Sequence, residues 1–139
     1  MPTRRTALAL IVAAAAVHVR PVLAAQPVVE ILAMGHWPVR KALEPVREVL
    51  ARYAGRIRVV EMDIEAPDGE KRLKAVGLKG HIPIVVLIDG GKAFKRPDGR
   101  TVEFVNFPAA AGNPMGMNGQ WSAADLEAAL RAALGETAD

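Results

Sequence analysis

Two apolar runs set the terms on which this chain can fold. Val28-Val29-Glu30-Ile31-Leu32-Ala33-Met34 and Ile84-Val85-Val86-Leu87-Ile88 are both of strand length, and neither alternates between apolar and polar residues. A strand with one face in water alternates, whereas a continuous apolar run has to be covered on both faces. Two such strands call for a sheet with helices on each side, so a layered α/β architecture follows before any single motif is weighed.

The segments between the runs supply the cover. Val39, Leu43, Val46, Leu50 and Tyr53 recur at helical spacing, and Pro38 suits the first position of that helix. Pro45 falls inside it and is expected to kink it, because proline has no N–H to donate. Ile57 to Ile64 reads as a second strand. Asp68 is placed to cap a short helix from Gly69 to Val76, with Leu73 and Val76 inward and Gly77 as its stop. The run from Ile84 to Ile88 is the third strand, and Asp89-Gly90-Gly91 turns the chain after it. Lys92 to Lys95 and Thr101 to Phe107 then form a hairpin around Pro97-Asp98-Gly99. Ser122, with Asp125 three residues on, opens a closing helix whose Leu126, Leu130 and Leu134 share one face. The order is β-α-β-α-β-β-α. Its first two strands are expected parallel through a crossover and the later ones antiparallel, giving a mixed sheet. Pro108 to Gln120 shows no periodicity and is longer than most connections in compact domains.

The first 25 residues read as an export signal rather than as part of the fold. Arg4 and Arg5 precede an apolar run from Ala7 to Val17, and Val22 to Ala25 offers a small-residue cleavage site. The run is too short to cross a membrane, which takes about 20 residues. Thr3-Arg4-Arg5-Thr6-Ala7-Leu8 resembles a twin-arginine signal, with Ala7 where Phe is usual. The expectation is a bacterial periplasmic or secreted protein with one domain over residues 26–139 and no stable membrane span after cleavage. Three of the 18 basic residues (Arg4, Arg5, Arg20) and none of the 15 acidic ones lie in the signal, so the remainder carries 15 of each. The basic excess thus belongs to the signal, and nothing in the balanced remainder points to a nucleic-acid partner. The chain has no cysteine, so no disulfide can hold it, although an exported protein could use one.

The element order, with Ile82-Pro83 directly ahead of the third strand, resembles the thioredoxin fold. Leu43 to Val59 is similar to the stretch in which that family's kinked active-site helix leads into its second strand. Val76-Gly77-Leu78-Lys79-Gly80-His81-Ile82-Pro83 is similar to the family's Gly-hydrophobe-basic-Gly-Ile-Pro turn with one residue inserted, most simply His81. The resemblance covers Val28 to Gly91. It implies a thioredoxin-like three-layer α/β/α fold with a mixed sheet, and a cis peptide bond at Pro83 beside Trp37. Counting back from Pro45, the family's Cys-x-x-Cys positions fall on Trp37 and Arg40. Neither can form a thiolate, so thiol–disulfide exchange is excluded. In the family the proline edge helps to hold extended peptides by backbone pairing. The resemblance therefore implies a redox-inactive binding or scaffolding module whose protein or extended-peptide partner docks against His36, Trp37, Arg40, Ile82 and Pro83.

Each candidate has a plainer alternative. Trp37 is either an aromatic platform or a plug filling the place of the lost disulfide. Arg40 and Lys41, in the first turn of a helix, either meet an anionic partner or are simply solvated. His36 and His81 flank the segments that the fold would bring together. With Met115 and Met117, and Met34 as a further thioether, they form the alternative of a periplasmic copper-handling site, since soft sulfur and imidazole donors suit Cu(I). Gap-filling is the commoner use of methionine. There is no Gly-x-Ser-x-Gly, phosphate loop or His-Glu-x-x-His, so no catalytic residue is assigned and no cofactor other than copper is weighed.

Overall fold

The computed structural model describes residues 25–109 and 119–136. Residues 1–24 of the expected export signal, and Met115 and Met117 of the copper alternative, lie outside the described residues.

Val28–Ala33 (β1) forms the centre of a three-stranded mixed sheet. It pairs in parallel with Arg58–Asp63 (β2) on one side and antiparallel with Ile84–Ile88 (β3) on the other. The continuous apolar runs are therefore the two strands buried most deeply, as their lack of alternation requires, whereas β2 lies at the sheet's edge and is largely exposed. Ala93–Lys95 (β4) and Thr101–Glu103 (β5) form the expected hairpin. Its second arm then changes partner. Phe104 O accepts from Val86 N–H at 2.9 Å and Asn106 N–H donates to Ile84 O at 2.8 Å, so Phe104 to Asn106 continues the sheet beyond β3.

The expected helix from Val39 to Tyr53 is two helices, Trp37–Ala42 (α1) and Glu44–Arg52 (α2), broken at Leu43. The break comes where Pro45 withholds the N–H that Lys41 O would accept. Bonds on either side persist, from Leu43 N–H to Val39 O and from Arg47 N–H to Leu43 O. The third helix is Pro67–Ala75 (α3), and it starts earlier than Asp68 capping would place it. Ala66 is the cap residue and makes no side-chain bond, while Pro67 takes the first helical position with a φ already suited to it. The last helix, Ala123–Ala133 (α4), opens as expected with a complete Ser122–Asp125 capping box.

Two ion pairs fix which helix covers which face. Arg72 of α3 donates from Nε and Nη2 to the two carboxylate oxygens of Glu30, each at 2.7 Å. Arg47 of α2 reaches Glu61 at 3.1 Å, and Glu61 is the parallel partner of Ile31. Glu30 and Ile31 are successive residues of one strand and point to opposite faces. Hence α3 covers one face and α2 the other, where α4 joins it through Arg52 and Tyr53 bonds to Glu127. Among the described residues Glu30 is the one charged residue in the core, and it is satisfied by this fork. The α3 layer lies so close to β2 that a Cβ on Gly69 would sit 2.0 Å from the Asp63 carbonyl oxygen.

Under α4, Trp121 is fully buried. Its Nε1–H is shared between the carbonyls of Val105 (3.2 Å) and Asn106 (3.1 Å), and its ring meets Phe104 edge-on at 5.4 Å. Trp121 thus ties the start of α4 to the strand that extends the sheet.

Candidate functional site

Where β1 ends, the chain leaves the sheet through Gly35, His36 and Trp37 into α1. The turn before β3 arrives beside it, held by Met34 N–H donating to Pro83 O at 3.0 Å. Between these segments and the end of the Phe104–Asn106 strand lies an open groove of about 380 Å³. Its walls are apolar (Met34, Pro38, Val39, Pro83, Phe107), and His36, His81 and Asn106 supply its polar groups.

The structure brings four of the candidate site residues singled out from sequence to this one groove: Met34, His36, His81 and Pro83. Trp37 stands next to them in the chain with 60% of its surface exposed, which rules out a plug at this position. Core filling falls instead to Trp121. Arg40 lines a neighbouring depression of about 240 Å³ with Gly35, Leu43, Arg47 and Asp63, and has no ion-pair partner among the described residues. Ile82 faces a third depression with Lys79, Glu65 and Glu70. Met34 borders all three spaces while remaining only 8% exposed, so it belongs both to the core and to the site.

No cis peptide bond occurs among the described residues, so Ile82–Pro83 is trans, against what the resemblance implies. Trans is the favoured isomer of an X-Pro bond. The turn is tightened by Ile82 N–H donating to Gly80 O at 3.1 Å. Pro83 lacks an N–H and its carbonyl accepts from Met34, while the Ile82 carbonyl accepts no backbone hydrogen bond among the described residues.

Charge enters the groove through one contact. His36 Nε2 lies 3.1 and 3.3 Å from the two carboxylate oxygens of Glu65, joining the start of α1 to the β2–α3 connection. Both side chains are about half exposed, so solvent screens the pair. Among the described residues no group of three or more His, Asp or Glu is arranged to hold a metal ion. Nor is any described helix long and apolar enough to cross a membrane.

Sequence reasoning did not find Phe107 or Asn106 as part of the site. They reach it because the hairpin's second arm crosses to β3, and Asn106 turns the chain there with φ of 68°. A non-glycine residue in this left-handed region is most often Asn, which is the one local signal the sequence carries. The site can enclose an apolar or extended ligand and hydrogen-bond to it. Without cysteine it has no thiol nucleophile. No protein-family model, no curated protein and no solved structure matches this chain.

Proposed function

We propose that this chain is an exported, redox-inactive thioredoxin-like module that binds an extended peptide segment of a partner protein across the His36–Pro83 groove. The carrying observation is Trp37, a 60%-exposed tryptophan next to a groove that also holds His36, His81 and Pro83. Leaving a large aromatic ring in water forgoes the gain of burying it, and such residues recur as anchors of protein interfaces. The sheet order β2-β1-β3, extended by Phe104–Asn106 and flanked by helices on both faces, supports the thioredoxin-like reading. Arg40 adds a positive edge, and the Ile82 carbonyl an acceptor for backbone pairing.

The test is selection of peptides from a displayed random library on the immobilised protein, followed by titration calorimetry of the best binder. Trp37→Ala is expected to weaken binding by about 2 kcal/mol or more, as an anchor residue does. Its stability is expected to stay within about 0.5 kcal/mol of wild type, because the side chain is exposed. A large loss of thermal stability with unchanged binding would overturn the reading.

A second reading rests on a separate observation: His36, His81 and Met34 line the same groove. Two imidazoles and a thioether suit Cu(I), and Met115 and Met117 would complete the set proposed from sequence. Near-stoichiometric copper in the purified protein, lost in His36→Ala/Met117→Ala, would favour this reading. Absence of copper, with equal competitive Cu(I) titrations for both proteins, would remove it.

A further inference from the structure

Asn106 brings to the groove a group that the fold itself does not use. The strand from Phe104 pairs antiparallel with β3 through a Val85–Val105 bridge, and its last bond among the described residues runs from Asn106 N–H to Ile84 O at 2.8 Å. Beyond that bond the ladder has no means to continue. Pro83 has no N–H to give, its carbonyl accepts from Met34, and Asn106 turns the chain with φ of 68°. The pairing ends here, and Pro83, Asn106 and Phe107 line the groove.

Both backbone groups of Asn106 are engaged. Its N–H goes to Ile84 O, and its C=O accepts from Trp121 Nε1 at 3.1 Å. The polar group it has left for a ligand is its carboxamide. Asparagine tolerates a positive φ because its short side chain can hydrogen-bond to nearby backbone. Asn106 makes no such bond: its side chain is exposed and has no hydrogen-bond partner among the described residues. A carboxamide holds a donor and an acceptor side by side in one plane. In an extended chain the N–H and C=O of one residue point to the same side, so both can be exchanged with a single partner group. In a helix those groups are bonded internally. An imidazole cannot substitute, because its two nitrogens diverge, and His36 is already held by Glu65.

We infer that the Asn106 carboxamide is a specificity-determining group that selects extended main chain, accepting the N–H and donating to the C=O of one residue of the bound segment. The inference rests on the peptide reading of the groove and narrows it. Recognition falls on backbone conformation at one residue, while the apolar walls (Met34, Pro38, Val39, Pro83, Phe107) take the neighbouring side chains without giving them direction.

The probe is the peptide selected on the wild-type protein. Asn106→Gly removes the carboxamide and accepts the positive φ, whereas Asn106→Asp keeps the acceptor and loses the donor. Each is expected to weaken the peptide about tenfold in titration calorimetry. The melting temperature of Asn106→Gly should be unchanged or raised, because glycine takes this φ freely. Replacing the peptide's amides by esters, one at a time, removes each N–H without adding bulk. At one position the ester should cost wild type about fivefold or more but Asn106→Gly less than about twofold, since the acceptor for that N–H is already gone. Asn106→Asp, which retains the acceptor, should lose about as much as wild type there. Equal affinity of Asn106→Gly and wild type for a peptide that Trp37→Ala weakens overturns this inference and leaves the groove reading standing. So does an ester cost that is the same in both proteins at every position. A lowered melting temperature accompanying the loss in Asn106→Gly assigns Asn106 to the fold instead and overturns it too. If no peptide is captured, both readings fall.

Discussion

At the scale of single residues the two tryptophans divide the labour. Trp121 is packed edge-on against Phe104 with its N–H satisfied by two carbonyls, so truncating it empties a core site and orphans acceptors. Trp121→Ala is expected to cost about 3–5 kcal/mol in denaturant unfolding, the range for deleting a buried aromatic. Trp37 carries no such role. Sequence left platform and plug equally open at Trp37, because a lone aromatic after a turn looks alike in both cases. It gave no hint of Trp121, whose burial depends on carbonyls 15 and 16 residues away rather than on any local period.

Among the elements, boundaries and faces were legible wherever a period or a cap encodes them. β1 and β3 follow from unbroken apolar runs, and α4 from its capping box and leucine spacing. What escaped the sequence was partner choice. Phe104 to Asn106 reads as the far arm of a hairpin, yet its backbone bonds go to β3, and this brings Asn106 and Phe107 to the groove. The start of α3 was misplaced for a smaller reason: Pro67 and Asp68 are both credible helix openers, and the fixed φ of proline prevailed. The closeness of α3 to the sheet is a matter of contact that only the fold reveals. Gly69→Ala places a methyl group against the Asp63 carbonyl, and we expect a loss of about 3 kcal/mol or more in chemical denaturation. Because α3 is a good helix apart from this contact, the loss should appear as weakened docking of α3, with Arg72 drawn away from Glu30.

For the molecule as a whole, the layered α/β plan was legible from two strands, while the ties between layers were not, being ion pairs between residues far apart in sequence. Arg96 at the end of β4 forks onto Asp125 of α4 at 2.7 and 2.6 Å, and Arg52 and Tyr53 converge on Glu127. The Arg96 fork, assisted by Ser122, holds the Asp125 carboxyl below the usual range, and Arg52 with Tyr53 does the same for Glu127. A carboxylate whose folded pKa is depressed binds protons more readily when unfolded. Its stabilisation is therefore complete above the ordinary value near 4 and is lost as pH falls through the lower folded value. Stability should accordingly decline in acid below about pH 4, and Asp125→Asn should be less stable at neutral pH with a shallower acid slope in melting experiments. An equal acid slope in that variant would show that Asp125 is not among the groups responsible. The unequal burial of the two tryptophans also gives the protein a built-in optical readout. Trp37, in water, should emit at long wavelength and be quenched by iodide, while Trp121 should emit further to the blue and be shielded. Occupation of the groove and loss of the core would then register as separate spectral changes in one unlabelled sample.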